Sequence, residues 1–476
     1  MTLLKTNVSK LPYSWYLIGL WALVNIKSLV IISPLVLDFR VNLGLTLLFV
    51  GLLGVTFFHD GSVREQSRPI RFGWLIPLLS IGFIQYAMLF LARYFAHFGY
   101  GISRFTLGAV LLLNGILALV ILWRQHALPQ RPPQNPAILL FAALTMSAFL
   151  ALAIQSFPLV VERSDMLPLI VSANQDFIND INPYHWHHDV GPRGLPLSYL
   201  TMTWIVFLPA VMVKIDPRFI NLLAHLAFIA TLYISLRPTP KWPDWTFLLW
   251  MSLNPLLIIR HDIQTYPLWF ALALTLLFTI RRRWTLASIG WGLLILWRTT
   301  MWVLIPFYLL TLLLAVGWRR TLKQSLLLFG VSVAGIWPFL IPEPIAIYDG
   351  VIGFFAPIGQ ALPTAEWGQI AGWAAGFSAI PVLYRGGIVE YYNEIQIGAV
   401  LLIFLVALIK RPPLPTMMKF MTAALLVFLL FNSLVWEYVY GPLLILLTYA
   451  LLASREAAQA STVASDGPAP ESAFHR

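Results

Sequence analysis

Leu195-Pro-Leu-Ser-Tyr-Leu-Thr-Met-Thr-Trp-Ile-Val-Phe-Leu-Pro-Ala-Val-Met-Val213 is the stretch on which the topology of this chain turns. Its only polar side chains are hydroxyls, and it is long enough to cross a hydrocarbon core of about 30 Å as a helix. Its flanks decide whether it does. If it crosses, Arg281, Arg282 and Arg283, and then Arg319, Arg320 and Lys323, fall outside the membrane. If it does not cross, all six fall inside, on the side of Arg64, Arg68, Arg71, Arg124 and Arg131. Inner loops carry the excess of Lys and Arg. The stretch is therefore expected to be re-entrant or to lie on the surface, as part of a long outer loop.

The remaining apolar runs fall at 15–37, 41–58, 74–95, 105–123 and 137–161 before it, and at 219–236, 245–259, 267–280, 286–297, 301–316, 325–341, 395–409, 420–435 and 438–452 after it. The expected fold is an all-α, polytopic transmembrane helical bundle of about 14 spans with both termini inside. Residues 1–136 supply four N-terminal spans, 137–453 a core, and 454–476 a small, polar, disordered cytoplasmic tail. Lys5 and Lys10 precede an apolar run too long for a cleaved signal, so the start reads as a retained first span.

Composition agrees. Of 476 residues, 59% are hydrophobic and 11% charged, against about a quarter charged in a soluble domain. That balance argues against an ordinary cytosolic enzyme. The absence of cysteine excludes a disulfide framework, thiolate chemistry and cysteine-held metals. The net charge of +11 would suit a nucleic-acid binder, but topology accounts for it. The inner side carries 20 cations and 6 acids, the outer side 10 cations and 14 acids, and Lys27 lies within the first span.

The acids thus gather outside, in two long connectors, 162–194 and 342–394. In the first, Met166, Ile170, Ala173, Phe177 and Ile181 recur at helical spacing, with Asp165, Ser172, Asp176 and Asn179 on the other side. This predicts an amphipathic helix on the membrane surface. Asp165 starts it, where a carboxylate meets both a lipid headgroup and a water-borne substrate. The competing reading is that Asp165 only caps the helix. Asn182-Pro-Tyr184 reads as a turn with an interfacial tyrosine. His185, His187, His188 and Asp189 are donor types for a divalent metal, but such histidines also suit an amphipathic surface, so no metal ligand is assigned. The run Asn254-Pro-Leu-Leu-Ile-Ile-Arg260-His261-Asp262 ends a span with charge at the outer boundary. Arg298 follows at the next outer boundary, and Arg385 lies in the second connector. Arginines facing an acid suit a lipid phosphate, which a guanidinium binds bidentately. Lys27, Asn25, Gln85, Asn114 and His225 are polar within spans but scattered.

These motifs together carry a resemblance. Asp165, Asp176-Phe-Ile-Asn-Asp-Ile-Asn-Pro-Tyr184, Leu195-Pro-Leu197, Arg218-Phe-Ile-Asn-Leu222, Asn254-Pro-Leu-Leu257 with His261-Asp262, Arg298, Trp337-Pro-Phe-Leu340, and Phe431-Asn432 with Trp436 and Tyr438 follow one another in order. From about 137 to 452 the chain resembles the GT-C superfamily of polyprenyl-phosphate-sugar-dependent glycosyltransferases, in particular its bacterial mannosyltransferase-like members. It departs from some relatives in having one acid after Ser164 rather than an acidic pair, and its first four spans are not part of the usual core.

The resemblance implies inverting transfer of a mannose-like hexose from a polyprenyl-phosphate sugar to a glycan or glycolipid acceptor on the outer face of the cell membrane. Asp165 would be the base and Asp262 its acidic partner. Arg260, His261, Arg298, Arg385, Asn182 and Tyr184 would bind substrate. It implies no cofactor beyond the lipid-linked donor, and no partners beyond donor, acceptor and membrane lipids; nucleic acid is not among them. The alternative is a secondary transporter or lipid flippase, which predicts an internal repeat and midplane acids. No repeat is evident, and the acids lie outside. A non-catalytic scaffold leaves the long outer connectors unexplained.

Overall fold

The computed structural model describes residues 13–465 apart from 33–38, 59–74, 97–98, 102, 128–135, 162–163, 192–193, 237–241, 342–343, 354–373, 379, 381–390 and 433–435. Arg385, most of the second connector and several arginines expected inside (Arg64, Arg68, Arg71, Arg131, Arg237) lie outside the described residues.

Five helices come first: α1 Tyr13–Ile32, α2 Phe39–Phe58, α3 Leu75–Ala96, α4 Arg104–Ala127 and α5 Pro136–Ser156. The first outer connector follows, with α6 Met166–Ile178, the paired two-residue strands β1 Trp186–His187 and β2 Leu195–Pro196, α7 Thr201–Ile205 and α8 Leu208–Met212. Then come α9 Arg218–Leu236, α10 Trp242–Ser252, α11 Leu256–Ile259, α12 Tyr266–Ile280, α13 Trp284–Ile295 and α14 Ile305–Leu340. The last are α15 Pro344–Tyr348, α16 Tyr392–Lys410, α17 Leu414–Leu430 and α18 Gly441–Ser465.

The protein is all-α but for that one short strand pair. Among the described residues, six helical stretches are long and apolar enough to cross a membrane: 40–57, 139–156, 218–236, 299–340, 392–410 and 437–457. Many side chains on their outer faces are large and apolar. On α16 these are Ile397, Leu401, Leu402, Leu405 and Ile409, each at least half exposed. Such a face suits lipid, not water. The count of six departs from the fourteen expected from the sequence. Several apolar runs form shorter helices: α10 has 11 residues, α12 has 15 and α13 has 12. At about 1.5 Å per residue a 12-residue helix reaches about 18 Å, short of the hydrocarbon thickness. Local sequence sets some of these ends, as where α10 stops just before Asn254-Pro255.

The decisive stretch 195–213 does not form a spanning helix. It breaks into β2, α7 and α8, the two helices having five residues each. Pro209 sits in the first turn of α8, where its missing N–H costs nothing. The Met202 N–H donates to the Leu296 carbonyl at 2.9 Å, and the Thr203 hydroxyl to that of Trp297. The segment is thus tied across the end of α13.

α14 is two arms. Gly317 has φ +73°, ψ 169°, which breaks the helix and which only glycine adopts cheaply. Leu309 and Leu313 before it, and Ser325 and Phe329 after it, line one apolar groove of about 640 Å³ with Phe404 of α16. The arms therefore fold against each other, as the separate runs at 301–316 and 325–341 imply.

One apolar cluster unites the helices before residue 136 with those after it; Trp21 of α1 meets Trp269 of α12 edge-on at 5.1 Å. A second, smaller cluster lies in the outer connector. It joins Leu167, Ile170 and Ala173 of α6 to Tyr184, Trp204, Phe207 and Phe339. The apolar face of α6 is therefore covered by protein. The expected face is kept and widened: Ile170 and Ala173 are buried and Phe177 packs against the cluster, with Ser172 and Asn174 buried beside them and Asn174 donating to the Ile170 and Trp204 carbonyls. Of the tail expected to be disordered, residues 454–465 are helical and 466–476 lie outside the described residues. α18 continues to Ser465 through Ala457, Ala458 and Ala460, which favour helix.

Asp244 accepts from Ser14 and Arg455, and Lys419 donates to the Phe57 carbonyl, all expected inside. Asn42 and Thr46 donate to the Ala374 and Ala375 carbonyls, at the end expected outside.

Candidate functional site

The chain leaving α5 is pinned by Arg218, which is almost wholly buried. Its guanidinium donates to the Phe157 and Ile154 carbonyls at 2.7 and 3.1 Å and pairs with Asp216 at 2.6 Å. Carbonyls at a helix C-terminus lack helical donors, and Arg218 supplies them. α6 then begins at Met166 with Asp165 at its N-cap. The Asp165 carboxylate makes no cap hydrogen bond, so capping is not what this side chain does. Burial raises its pKa above the ordinary carboxylate value, opposed by a hydrogen bond to its own backbone.

The neighbours of Asp165 come from three distant segments. Asp165 and Arg298 both act electrostatically on Tyr199 and on Tyr438. Tyr199 is held far above the usual phenol value by burial first, then by Asp165 and Tyr438, with Arg298 and a hydrogen bond to Gln264 opposing. Tyr438 is the hub. Its hydroxyl donates to the sulfur of Met166 at 3.4 Å. The guanidinium carbons of Arg260 and Arg298 lie 5.7 and 5.9 Å from its ring centre, within cation–π range. The Ser164 hydroxyl donates to the backbone carbonyl of Asp262 at 3.4 Å. Asp262 is buried and is an electrostatic neighbour of Arg260.

The two arginines differ. Nε and Nη2 of Arg260 each lie 2.8 Å from Glu437 Oε1, which also accepts from the Ser28 hydroxyl at 2.7 Å. Arg298 is half-buried and has no carboxylate at ion-pair distance among the described residues.

Of the residues singled out from the sequence, Asp165, Asp262, Arg260 and Arg298 come together. Others are placed elsewhere. His261 is buried among Phe95 and Phe157, its Nδ1 at the Ile258 carbonyl. Asn182 closes a turn by accepting the Tyr184 N–H at 3.1 Å. Tyr184 is buried in the outer cluster beside Thr201 and Trp204, and burial pushes its phenol up to about 12. Arg385 lies outside the described residues. His185 and His187 meet Asp176, whereas His188 is exposed and stands apart. Glu437 was missed by sequence reasoning, although an acid between Trp436 and Tyr438 at the outer end of the last apolar run was the available signal. Tyr199 and Gln264 carried none.

No family model, curated protein or solved structure matches this chain. The fold and site define a helical protein of membrane type with a polar cluster at one end of its helices.

Proposed function

We propose that this chain is an integral-membrane glycosyltransferase of GT-C type. It would move a mannose-like hexose from a polyprenyl-phosphate sugar to a glycan or glycolipid acceptor on the outer face of the cell membrane, within a bundle of about 14 spans whose termini are cytoplasmic. One observation carries the reading: a carboxylate not used as a cap, Asp165, stands with two arginines around Tyr438.

In this reading Asp165 takes the proton of the acceptor hydroxyl as its oxygen attacks the anomeric carbon. A positioned base contributes about 10²–10⁴-fold, and its raised pKa makes it a stronger proton acceptor than an exposed carboxylate. The bond to the leaving phosphate breaks as the new glycosidic bond forms, so the anomeric centre inverts. Negative charge grows on the departing phosphate, and Arg298 stabilises it. Arg260, already neutralised by Glu437, positions Tyr438 more than it binds phosphate. Asp262 holds the Arg260 side of the site. The donor tail lies in the apolar groove, whose lining includes Ile295 and Trp302 on either side of Arg298 in sequence.

Secondary transport or lipid flipping is the competing reading. It would rest on Lys27 and His225. Lys27 donates to Thr46, and neither residue lines the groove. Transfer of radiolabelled sugar from polyprenyl-phosphate mannose in membranes, wild type against Asp165→Asn, tests the proposal. Label in the wild type only supports it. Equal label in both would remove Asp165 as base.

A further inference from the structure

The far end of α6 holds a second polar cluster, independent of the transferase reading. Asp176 Oδ2 lies 2.9 Å from His185 Nε2 and 3.3 Å from His187 Nδ1. One donor atom from each residue falls within 4.8 Å of the others. The two imidazoles stack with centroids 4.4 Å apart.

Hydrogen-bond accounting shows what the cluster lacks. His187 Nε2 meets the Pro183 carbonyl at 2.9 Å, and His185 Nδ1 meets the Trp186 carbonyl at 3.1 Å. A carbonyl only accepts, so these nitrogens carry the ring hydrogens. Neutral rings then turn two bare lone pairs, His185 Nε2 and His187 Nδ1, toward a carboxylate oxygen. The Ser172 hydroxyl is 2.9 Å from His187 Nδ1 and 3.0 and 2.9 Å from the two Asp189 oxygens. It has one proton for three acceptors. Acceptors converge here in excess of donors, and a cation at their centre balances them.

We propose that Asp176, His185 and His187 bind a divalent transition ion of the zinc class, with water completing the shell. Two imidazoles and a carboxylate select such an ion over magnesium or calcium, which take oxygen shells. Bonds of about 2.0–2.2 Å in a tetrahedral site put donor atoms about 3.3 Å apart. The Asp176–His187 separation fits this, and the Asp176–His185 separation must open by a few tenths of an ångström. The backbone carbonyls on the remote ring nitrogens are the orienting contacts that metal-bound histidines use. The hairpin sets His187 in place. It pairs with Leu195, and at Gly194 (φ +68°) a Cβ would come 2.6 Å from Trp186 Nε1. The ion ties α6 to that hairpin and so fixes the first outer connector.

The test uses the full chain in detergent, stripped with chelator and titrated with Zn²⁺ and with Co²⁺ as spectroscopic probe. About one Zn²⁺ per chain is expected by elemental analysis, with visible d–d absorption on Co²⁺ loading. Asp176→Asn and His185→Gln should each weaken binding by at least about tenfold, and His188→Ala should not. Because His185 is partly exposed, His185→Gln is the variant that tests binding without disturbing the core. Size-exclusion profiles confirm that each variant remains folded. No metal uptake by the wild type would overturn the site and leave a proton-bridged ion pair in its place. Uptake unchanged in both variants, or abolished by His188→Ala alone, would overturn it as well.

Discussion

Asp165 and Asp176 stand at opposite ends of one helix, eleven residues apart, with opposite surroundings. Asp165 acts on Tyr199 and Tyr438, tyrosines that Arg298 also acts on. Asp176 faces two histidines that follow it within eleven residues. The same side chain becomes a candidate proton acceptor in one place and a candidate metal ligand in the other. The difference lies in the neighbours. Two tyrosines lie within electrostatic reach of Asp165, while two imidazoles lie against the Asp176 carboxylate.

The largest expected effect falls on the first of these. Asp165→Asn should lower sugar transfer by about 10²–10⁴-fold with an unchanged size-exclusion profile; near-normal turnover would make the two carboxylates equivalent in this respect. Next, Glu437→Gln leaves Arg260 charged and poorly paired in a buried position. Loss of such a partner costs about 3–5 kcal/mol, read as a lower midpoint of thermal unfolding in detergent. An unchanged midpoint would mean that Glu437 does not hold the arginine side of the site. Arg298→Gln should then cut transfer by about 10²–10³-fold, mainly in kcat.

The pH profile sharpens the contrast further. Asp165 must be ionised to accept a proton, and burial raises its pKa. Activity should therefore fall as pH drops through a value above the ordinary carboxylate value of about 3.9. Among the described residues, the titratable groups on which it acts are Tyr199 and Tyr438. An acid limb at or below the ordinary value would contradict the burial argument. The smallest effect is expected at exposed His188, where His188→Ala should shift stability by less than about 0.5 kcal/mol.

Much of the fold was legible in the sequence because bilayer chemistry acts locally. Apolar runs mark helices, and the distribution of Lys and Arg argued against a span at 195–213, where the structure has strand and two short helices. Span lengths were less legible. Whether a run such as 286–297 forms a full-length helix depends on how its ends are anchored, and here the connector docks on the end of α13 through Met202 and Thr203. What covers α6 was not legible for a related reason: Phe339 and Trp204 pack on it, and neither adjoins it in sequence. The site was half legible. Charge at span ends pointed to Asp165, Arg260, Asp262 and Arg298. Glu437 and Tyr438 were not assigned, since Tyr438 reaches Met166 across 272 residues.

By itself, then, the sequence determined that this is an apolar, helical chain with half of its acids in two long connectors. Hydropathy and charge are properties of each residue and its near neighbours. Only the tertiary structure decided that Arg260 pairs with Glu437, that the Asp165 carboxylate does not cap its helix, and that Asp176 rather than His188 joins the histidines. Those outcomes depend on distances between side chains, which packing fixes after the local rules have been satisfied.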